Sequence, residues 1–347
     1  MPQPPPEIPL LPSTAATLWE DQSDLFNKLK RRLASYSACT QRALAADWRA
    51  WRSWCTTNSR MAFPASPGDI VDYILAHSPP LQRTATGELV MNLDAAGPTV
   101  RRASTVTRWL ASLSILHRIA GGADPTHDED VRATRRLITR GRNTPEQKAP
   151  LRWADVSTAL TTLSNDLPDL RAKALIAVAY STLARRAELT ALHVKDLTFG
   201  EEGDGTVTLR TKGGEQKERY LAPEARTALQ TWLAAAQINE GPIFRRLKSN
   251  GRAGEDAINS AEVGRTFKRI AHLIGLDPIR PTQRISAHST RIGAAQDLTA
   301  AGAALPEIMI AGGWKSPQMP AHYARKLDTR QGAMRRWLDA ARRHRER

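Results

Sequence analysis

Residues 285–323, ISAHSTRIGAAQDLTAAGAALPEIMIAGGWKSPQMPAHY, constrain the chain more tightly than any other stretch. After His288, the residues Ile292, Ala295, Leu298 and Thr299 recur at helical spacing, and Gly302 is a stop signal. Pro306 suits a first helical position, so a second short helix is expected from there to Gly312–Gly313. Ser316 followed by Pro317 reads as the cap and first residue of a third helix, which would carry Tyr323. His288 and Arg291 are three residues apart and share a face where a helix begins. Successive helices thus offer an imidazole, a guanidinium, the Trp314 indole N–H and a phenol. Such a set suits a phosphodiester. Arg grips phosphate oxygens with a bidentate fork, His and Trp donate hydrogen bonds to them, and Tyr can attack phosphorus.

The rest of the chain divides into segments. The start, MPQPPPEIPLLPS, is too rich in proline for regular structure, so residues 1–23 are expected to form a tail. Residues 24–140 read as four or five short helices. Leu44, Trp48, Trp51 and Cys55 mark one apolar face; Ile70, Val71 and Ile74, after Ser66-Pro67, mark another. Val106, Trp109, Leu110, Leu113 and Leu116 mark a third. The opposite faces carry Arg42, Arg49, Arg52, Arg101, Arg102 and Arg108, where a solvated surface or contact with DNA phosphates and guanine edges is expected. Residues 79–103 lack periodicity and read as a loop; GRNTPEQKAP, 141–150, reads as a linker to a second domain, 151–347.

In that second domain RAKALIAVAYSTL, 171–183, is apolar all round and predicts a buried helix. Arg185 follows it directly; an ion pair with Glu188 is one account of a charge in that place, and Arg186 is its neighbour. Val207, Leu209 and Thr211 alternate as a half-buried strand does, Gly213-Gly214 turns, and 217–221 returns as a second strand, with Lys212 at the tip and Lys217 on the return. Residues 224–236 read as a helix with Leu229, Trp232 and Leu233 inward, and RRLKSNGRAGED, 245–256, as a flexible basic loop. Residues 259–275 form an amphipathic helix with Val263, Phe267, Ile270 and Ile274 inward and Glu262, Arg265, Lys268 and Arg269 outward. That helix is the candidate for the DNA major groove, which admits a helix and presents guanine to Arg. Met334, Trp337, Leu338 and Ala341 form the apolar stripe of a terminal helix over 328–343. The net charge of +15 favours a polyanionic partner.

HSTRIGAAQDLTAAG, LPEIMIAGGW and HYARKLDTRQGAM resemble the tyrosine recombinases of the phage integrase family. The resemblance implies a mostly α, two-domain protein. A small all-helical N-terminal DNA-binding domain and a larger α+β catalytic domain, with a small antiparallel sheet, would form a C-shaped clamp on double-stranded DNA. It implies catalytic roles for Tyr323, Arg185, Arg291, His288 and Trp314, where many relatives have a histidine instead of the tryptophan. It makes Glu188 an acidic partner that positions its neighbours and Lys212 the hairpin lysine that protonates the leaving 5′ oxygen. Segment 79–103 is then an insertion, since the family is shorter there. The implied activity is site-specific recombination through a 3′-phosphotyrosyl link at a short inverted repeat. The protein would be a monomer in solution and a homotetramer on DNA, joined by exchange of the terminal helix.

Competing readings are weaker. A type IB topoisomerase shares the chemistry without site preference. An architectural DNA-binding protein needs none of the catalytic set. No G-x-S-x-G elbow supports a serine hydrolase at Ser286 or Ser289. Cys39 and Cys55 are the only cysteines and have no metal-ligand spacing, so neither metal nor cofactor is expected. No apolar run is long enough to span a bilayer and no signal pattern opens the chain, so a cytoplasmic protein is expected.

Overall fold

In a computed structural model the chain divides into two compact units, residues 1–145 and 146–347. The structure describes residues 31–84, 86–92, 97–140, 148–210, 214–276, 284–324, 334–335, 337–339 and 342. The tail, most of the 141–150 stretch, Lys212 and Ala341 lie outside them.

Among the described residues the core of the first unit is carried by four helices, α1 (Ala38–Thr57), α2 (Pro67–Ala76), α3 (Ala103–Ala120) and α4 (Glu129–Thr139). Three of the four starts are capped by a side chain. Ser37 Oγ accepts from Thr40 N, Ser66 Oγ from Asp69 N with Pro67 next, and the Asp128 carboxylate from Asp130 N. Gly121, at φ 81°, ends α3 in the left-handed geometry that glycine adopts without strain. Leu44, Trp48, Trp51 and Cys55 are all buried, with Ile70, Ile74, Val106, Trp109, Leu110 and Leu113. Val71 is partly buried against this core, and Tyr73 joins the α2 face; it meets Trp51 edge-on at 5.1 Å between ring centroids. Burial pushes the Cys55 thiol up to about 12, which leaves it an inert core residue.

Two expectations for this unit are corrected. Segment 79–103 is not structureless: β1 (Leu81–Arg83) and β2 (Leu89–Met91) pair antiparallel, and Met91 packs into the core. Strands of three residues are too short to leave a readable alternation. Arg108 is not simply an outward cation. Its Nη1 lies 2.5 and 2.6 Å from the two carboxylate oxygens of Asp47, which is 4% exposed and also accepts from Ser112 Oγ. A buried carboxylate requires such a partner, so Arg108 holds α3 to α1. Arg42 is exposed on α1.

The second unit wraps α6 (Leu167–Ser181), which is buried on every side. Leu170, Leu175, Ile176 and Val178 each remove a full aliphatic side chain from water, worth about 1.5–3 kcal/mol apiece before entropy is counted. Packed around it are α5 (Trp153–Thr162), α8 (Pro223–Ala235), α9 (Ser260–Leu273) and α10 (Ser289–Ala300); α7 (Arg186–Thr190) follows α6. The sheet has three antiparallel strands, β3 (Leu197–Phe199), β4 (Gly205–Arg210) and β5 (Gln216–Leu221), one more than the hairpin expected. The 245–256 stretch is also corrected: β6 (Arg245–Leu247) and β7 (Ala253–Ala257) form a second hairpin, turning at Asn250-Gly251 with Gly251 at φ 77°. Trp232 on α8 donates its indole N–H to Ile243 O at 2.9 Å.

Two ion pairs fasten α9 to the first turns of α6, Glu262 to Arg171 at 2.7 Å and Arg269 to Asp169 at 2.6 Å. Helix α10 is fastened to the start of the unit. Leu151 N donates to Ser289 O, and Asp297 accepts from Arg152 Nε, Trp153 N and Tyr180 Oη at 2.6–2.8 Å. Helices α11 (Leu305–Gly312) and α12 (Gln318–Ala324) close the unit. Each starts one residue away from its expected start, since Leu305 precedes Pro306 and α12 begins after Pro317. The described part of the terminal helix leaves Met334 and Trp337 68% and 64% exposed. Among the described residues no helix is long and apolar enough to cross a membrane.

Candidate active site

The site grows out of the turn that ends α6. Leu183 adopts a positive φ of 50°, uncommon for a residue with a side chain, and so directs its carbonyl away from the helix. Arg185 then caps α7. Its backbone N–H and its Nη1 both donate to Glu188, at 2.6 and 2.7 Å. Glu188 is 7% exposed, so this pair both neutralises a buried carboxylate and fixes the arginine. The ion pair weighed from the sequence is therefore present, and it places Arg185 instead of hiding it: the side chain is still 44% exposed.

Arg291 stands one turn into α10 and is 3% exposed. Its Nη1 donates to Leu183 O and its Nη2 to Gly312 O at 2.6 Å. The Trp314 ring covers it, with the guanidinium carbon 4.1 Å from the ring centroid. The double glycine makes this possible. A Cβ on Gly312 would lie 1.9 Å from the Trp314 ring, and Gly313 turns through φ 63°. Burial first, and then repulsion from Arg185, lower Arg291 to about 10, so it stays cationic at neutral pH. Two of its five N–H groups are donated to carbonyls.

Tyr323 lies on α12, 9% exposed, packed with Ile292, Ala295 and Ile308. It meets Trp314 edge-on at 5.9 Å, and its carbonyl accepts from Gln296 Nε2. Burial raises its pKa; Arg291 and Arg185 pull the other way. The phenol is therefore protonated at rest, and ionising it takes a base or an added positive field. His288 stands at the N-terminus of α10. Desolvation, then Arg291, Arg186 and Arg185, lower its pKa, so its neutral form persists below the ordinary 6.5. A neutral imidazole can accept a proton at pH 7, and that capacity is lost as pH falls through the lowered value. In the DNA-free protein the His288 ring should thus titrate below 6.5, and Arg186→Gln should raise its midpoint; proton NMR of the ring against pH measures both. A midpoint above 6.5 would contradict the electrostatics described here.

The other sequence candidates are placed as follows. Lys212 lies outside the described residues, as does the rest of the hairpin tip, 211–213. Lys217, its alternative, pairs with Glu215 at 3.2 Å. Of the outward residues on α9, Glu262 and Arg269 are occupied by Arg171 and Asp169, while Arg265 and Lys268 are exposed. Ser289 is fully buried and its Oγ accepts from Ser286 N, an arrangement unlike that of a nucleophile. Sequence reasoning missed Arg219. Lys217, Arg219 and Leu221 share the inward parity of β5, opposite Leu209, Val207 and Gly205. Two cations at inward positions of a half-buried strand are a signal that alternation carries and that an apolar count overlooks.

Comparison with known proteins follows the same lines. The phage integrase family model matches residues 150–330. The chain is 30% identical to the recombinase Cre of Escherichia phage P1, over 96% of each chain. It is 31% identical to an integrase/recombinase XerD homologue of Selenomonas ruminantium, over 79% of this chain and 78% of that one. Among solved structures, a lambda integrase dimer bound to a COC′ core site matches with a TM-score of 0.58 at 14% identity, covering 88% of this chain and 96% of that one. XerH recombinase in a post-cleavage complex with a palindromic difH substrate matches with a TM-score of 0.56 at 16% identity, covering 87% and 79%. At those identities the structures speak for the fold.

Proposed function

The chain belongs to the phage integrase family, and on that premise we propose that it is a tyrosine site-specific DNA recombinase that cuts and rejoins a short inverted repeat through a 3′-phosphotyrosyl intermediate. The observation that carries the reading is the convergence of Arg291 on α10, Trp314 in the link between α11 and α12, and Tyr323 on α12. Tyr323 Oη attacks the scissile phosphorus and forms a new P–O bond. The P–O5′ bond breaks, and its electron pair stays on O5′. His288 takes the phenolic proton, and O5′ takes a proton from a lysine, for which Lys212 is the candidate. Arg185 and Arg291 stabilise the charge that builds on the phosphoryl oxygens in the five-coordinate state. The 5′-hydroxyl of a partner strand then reverses the step. One ester replaces another, so the exchange needs no ATP.

Relatives in DNA complexes support a double-stranded DNA partner, and Arg42, Arg265 and Lys268 are exposed cations suited to phosphates or bases. The protein works in the cytoplasm, beside its DNA. It acts as a homotetramer on that DNA, and the exposed stripe of Met334, Trp337 and Leu338 supports exchange of the terminal helix between subunits. Trp337→Ala should weaken the slower-migrating complexes on a two-arm site and leave single-arm binding intact in gel-shift titrations. Equal effects on both would refute helix exchange.

The reading is tested by incubating the protein with sheared DNA from its own replicon, denaturing, and sequencing the protein-bound fragments. Enrichment of one inverted repeat is expected. A signal spread over all DNA would replace the recombinase with a topoisomerase, and no covalent product would remove the catalytic reading.

A further inference from the structure

We propose that Arg219 is a third guanidinium of the catalytic site, placed to contact a non-bridging oxygen of the scissile phosphate. The inference rests on the phosphoryl-transfer reading above. Arg219 lies on β5, paired with Val207 on β4, and points to the inner side of the sheet. Its Nη2 sits against the backbone of Gly313: a Cβ built there would lie 2.4 Å away. Gly313 is the residue before Trp314, whose ring covers Arg291. Arg219 thus lies against the residue next to the aromatic cover of the central arginine.

The charges of this corner do not balance. Arg185, Arg219 and Arg291 gather around one buried carboxylate, Glu188, and Arg185 already holds it. Arg219 makes no ion pair among the described residues; its guanidinium donates to the carbonyl of its own neighbour, Glu218, at 3.1 Å. Burial is the main cause of its lowered pKa; Glu188 opposes that effect, the Arg185 charge adds to it and Glu215 opposes it, and Arg219 in turn lowers Arg291. A half-buried cation with no ion pair of its own, beside two other guanidinium groups, is costly, and a dianionic step at phosphorus is the event that offsets the cost. Packing alone would be served by an aliphatic residue at this inward position.

The test compares wild type, Arg219→Ala and Arg219→Lys on the duplex recovered from the trapping experiment. That duplex is made once with an ordinary phosphate and once with a methylphosphonate at the cleaved position. On the phosphate, Arg219→Ala should slow single-turnover covalent linkage by about 100-fold, the scale of one lost oxyanion contact, with DNA binding unchanged. Arg219→Lys should lose less. On the methylphosphonate, which lacks the charge that Arg219 serves, wild type and Arg219→Ala should react at similar rates. An equal loss on both substrates would overturn the proposal and reduce Arg219 to a support for the Gly313 turn. No linkage by wild type on the phosphate would overturn the recombinase reading itself, and this inference with it.

Discussion

Tyr323→Phe should bind DNA as the wild type does and form no covalent complex. The substitution removes one oxygen from a side chain packed with Ile292, Ala295 and Ile308, so the fold loses at most about 1 kcal/mol. The chemistry loses its nucleophile altogether, because no other tyrosine among the described residues is placed to replace it. Tyr180 donates its hydroxyl to Asp297 at 2.6 Å, and burial, with that carboxylate second, holds its pKa far above the ordinary value. Tyr73 is buried in the other unit between Trp51 and Trp109. Tyr220 is 56% exposed on the outer face of β5. Denaturing gels after incubation with target DNA measure the outcome. Wild type should give a slow band carrying both protein and DNA, and the variant should give none while shifting the same DNA in a native gel.

Gly293→Ala should disable the second unit with a single methyl group. A Cβ at Gly293 would lie 1.8 Å from Leu151 O and 2.3 Å from its carbonyl carbon. Both are backbone atoms, so no rotamer relieves the clash. The same strand of chain is fixed from the other side by Leu151 N on Ser289 O and by Arg152 and Trp153 on Asp297. Either those bonds break or α10 moves, and α10 carries His288 and Arg291. Overpacking of this kind costs about 1–3 kcal/mol or more, and here the half-buried Asp297 carboxylate loses partners as well. Urea denaturation followed by far-ultraviolet circular dichroism should show a clearly lower midpoint, with covalent linkage lost below it too. Ala294→Gly, one residue along the same helix, is the control and should cost only about 1 kcal/mol.

The parts of this account that a sequence reader reaches unaided are those that repeat. The buried faces of α1 and α9 follow from period-3.6 spacing, and the all-round burial of α6 from an unbroken apolar run. Hairpins β1–β2 and β6–β7 do not repeat; their strands have three to five residues and owe their pairing to turns such as Gly251. The site divides in the same way. Tyr323, Trp314, Arg291 and Arg185 stand in motifs, so their importance is visible, but their geometry is not. Nothing in H-x-x-R says that Arg291 would be 3% exposed, bound to two carbonyls and roofed by an indole. The double glycine was visible as a helix end, yet its stronger reason is tertiary: Gly312 leaves room for the Trp314 ring. Arg108, Glu262 and Arg269 look alike to their neighbours as surface charges, and only the fold supplies the carboxylates and arginine that engage them.

The central claim is that the phenol of Tyr323 becomes joined to DNA phosphorus. Digesting the trapped complex with nuclease and protease, and sequencing the adduct peptide by mass spectrometry, tests it most directly. The account predicts a peptide spanning MPAHYARK in which Tyr323 bears a 3′-linked deoxynucleotide phosphate. The same mass on Tyr220, Tyr180 or a serine would contradict it.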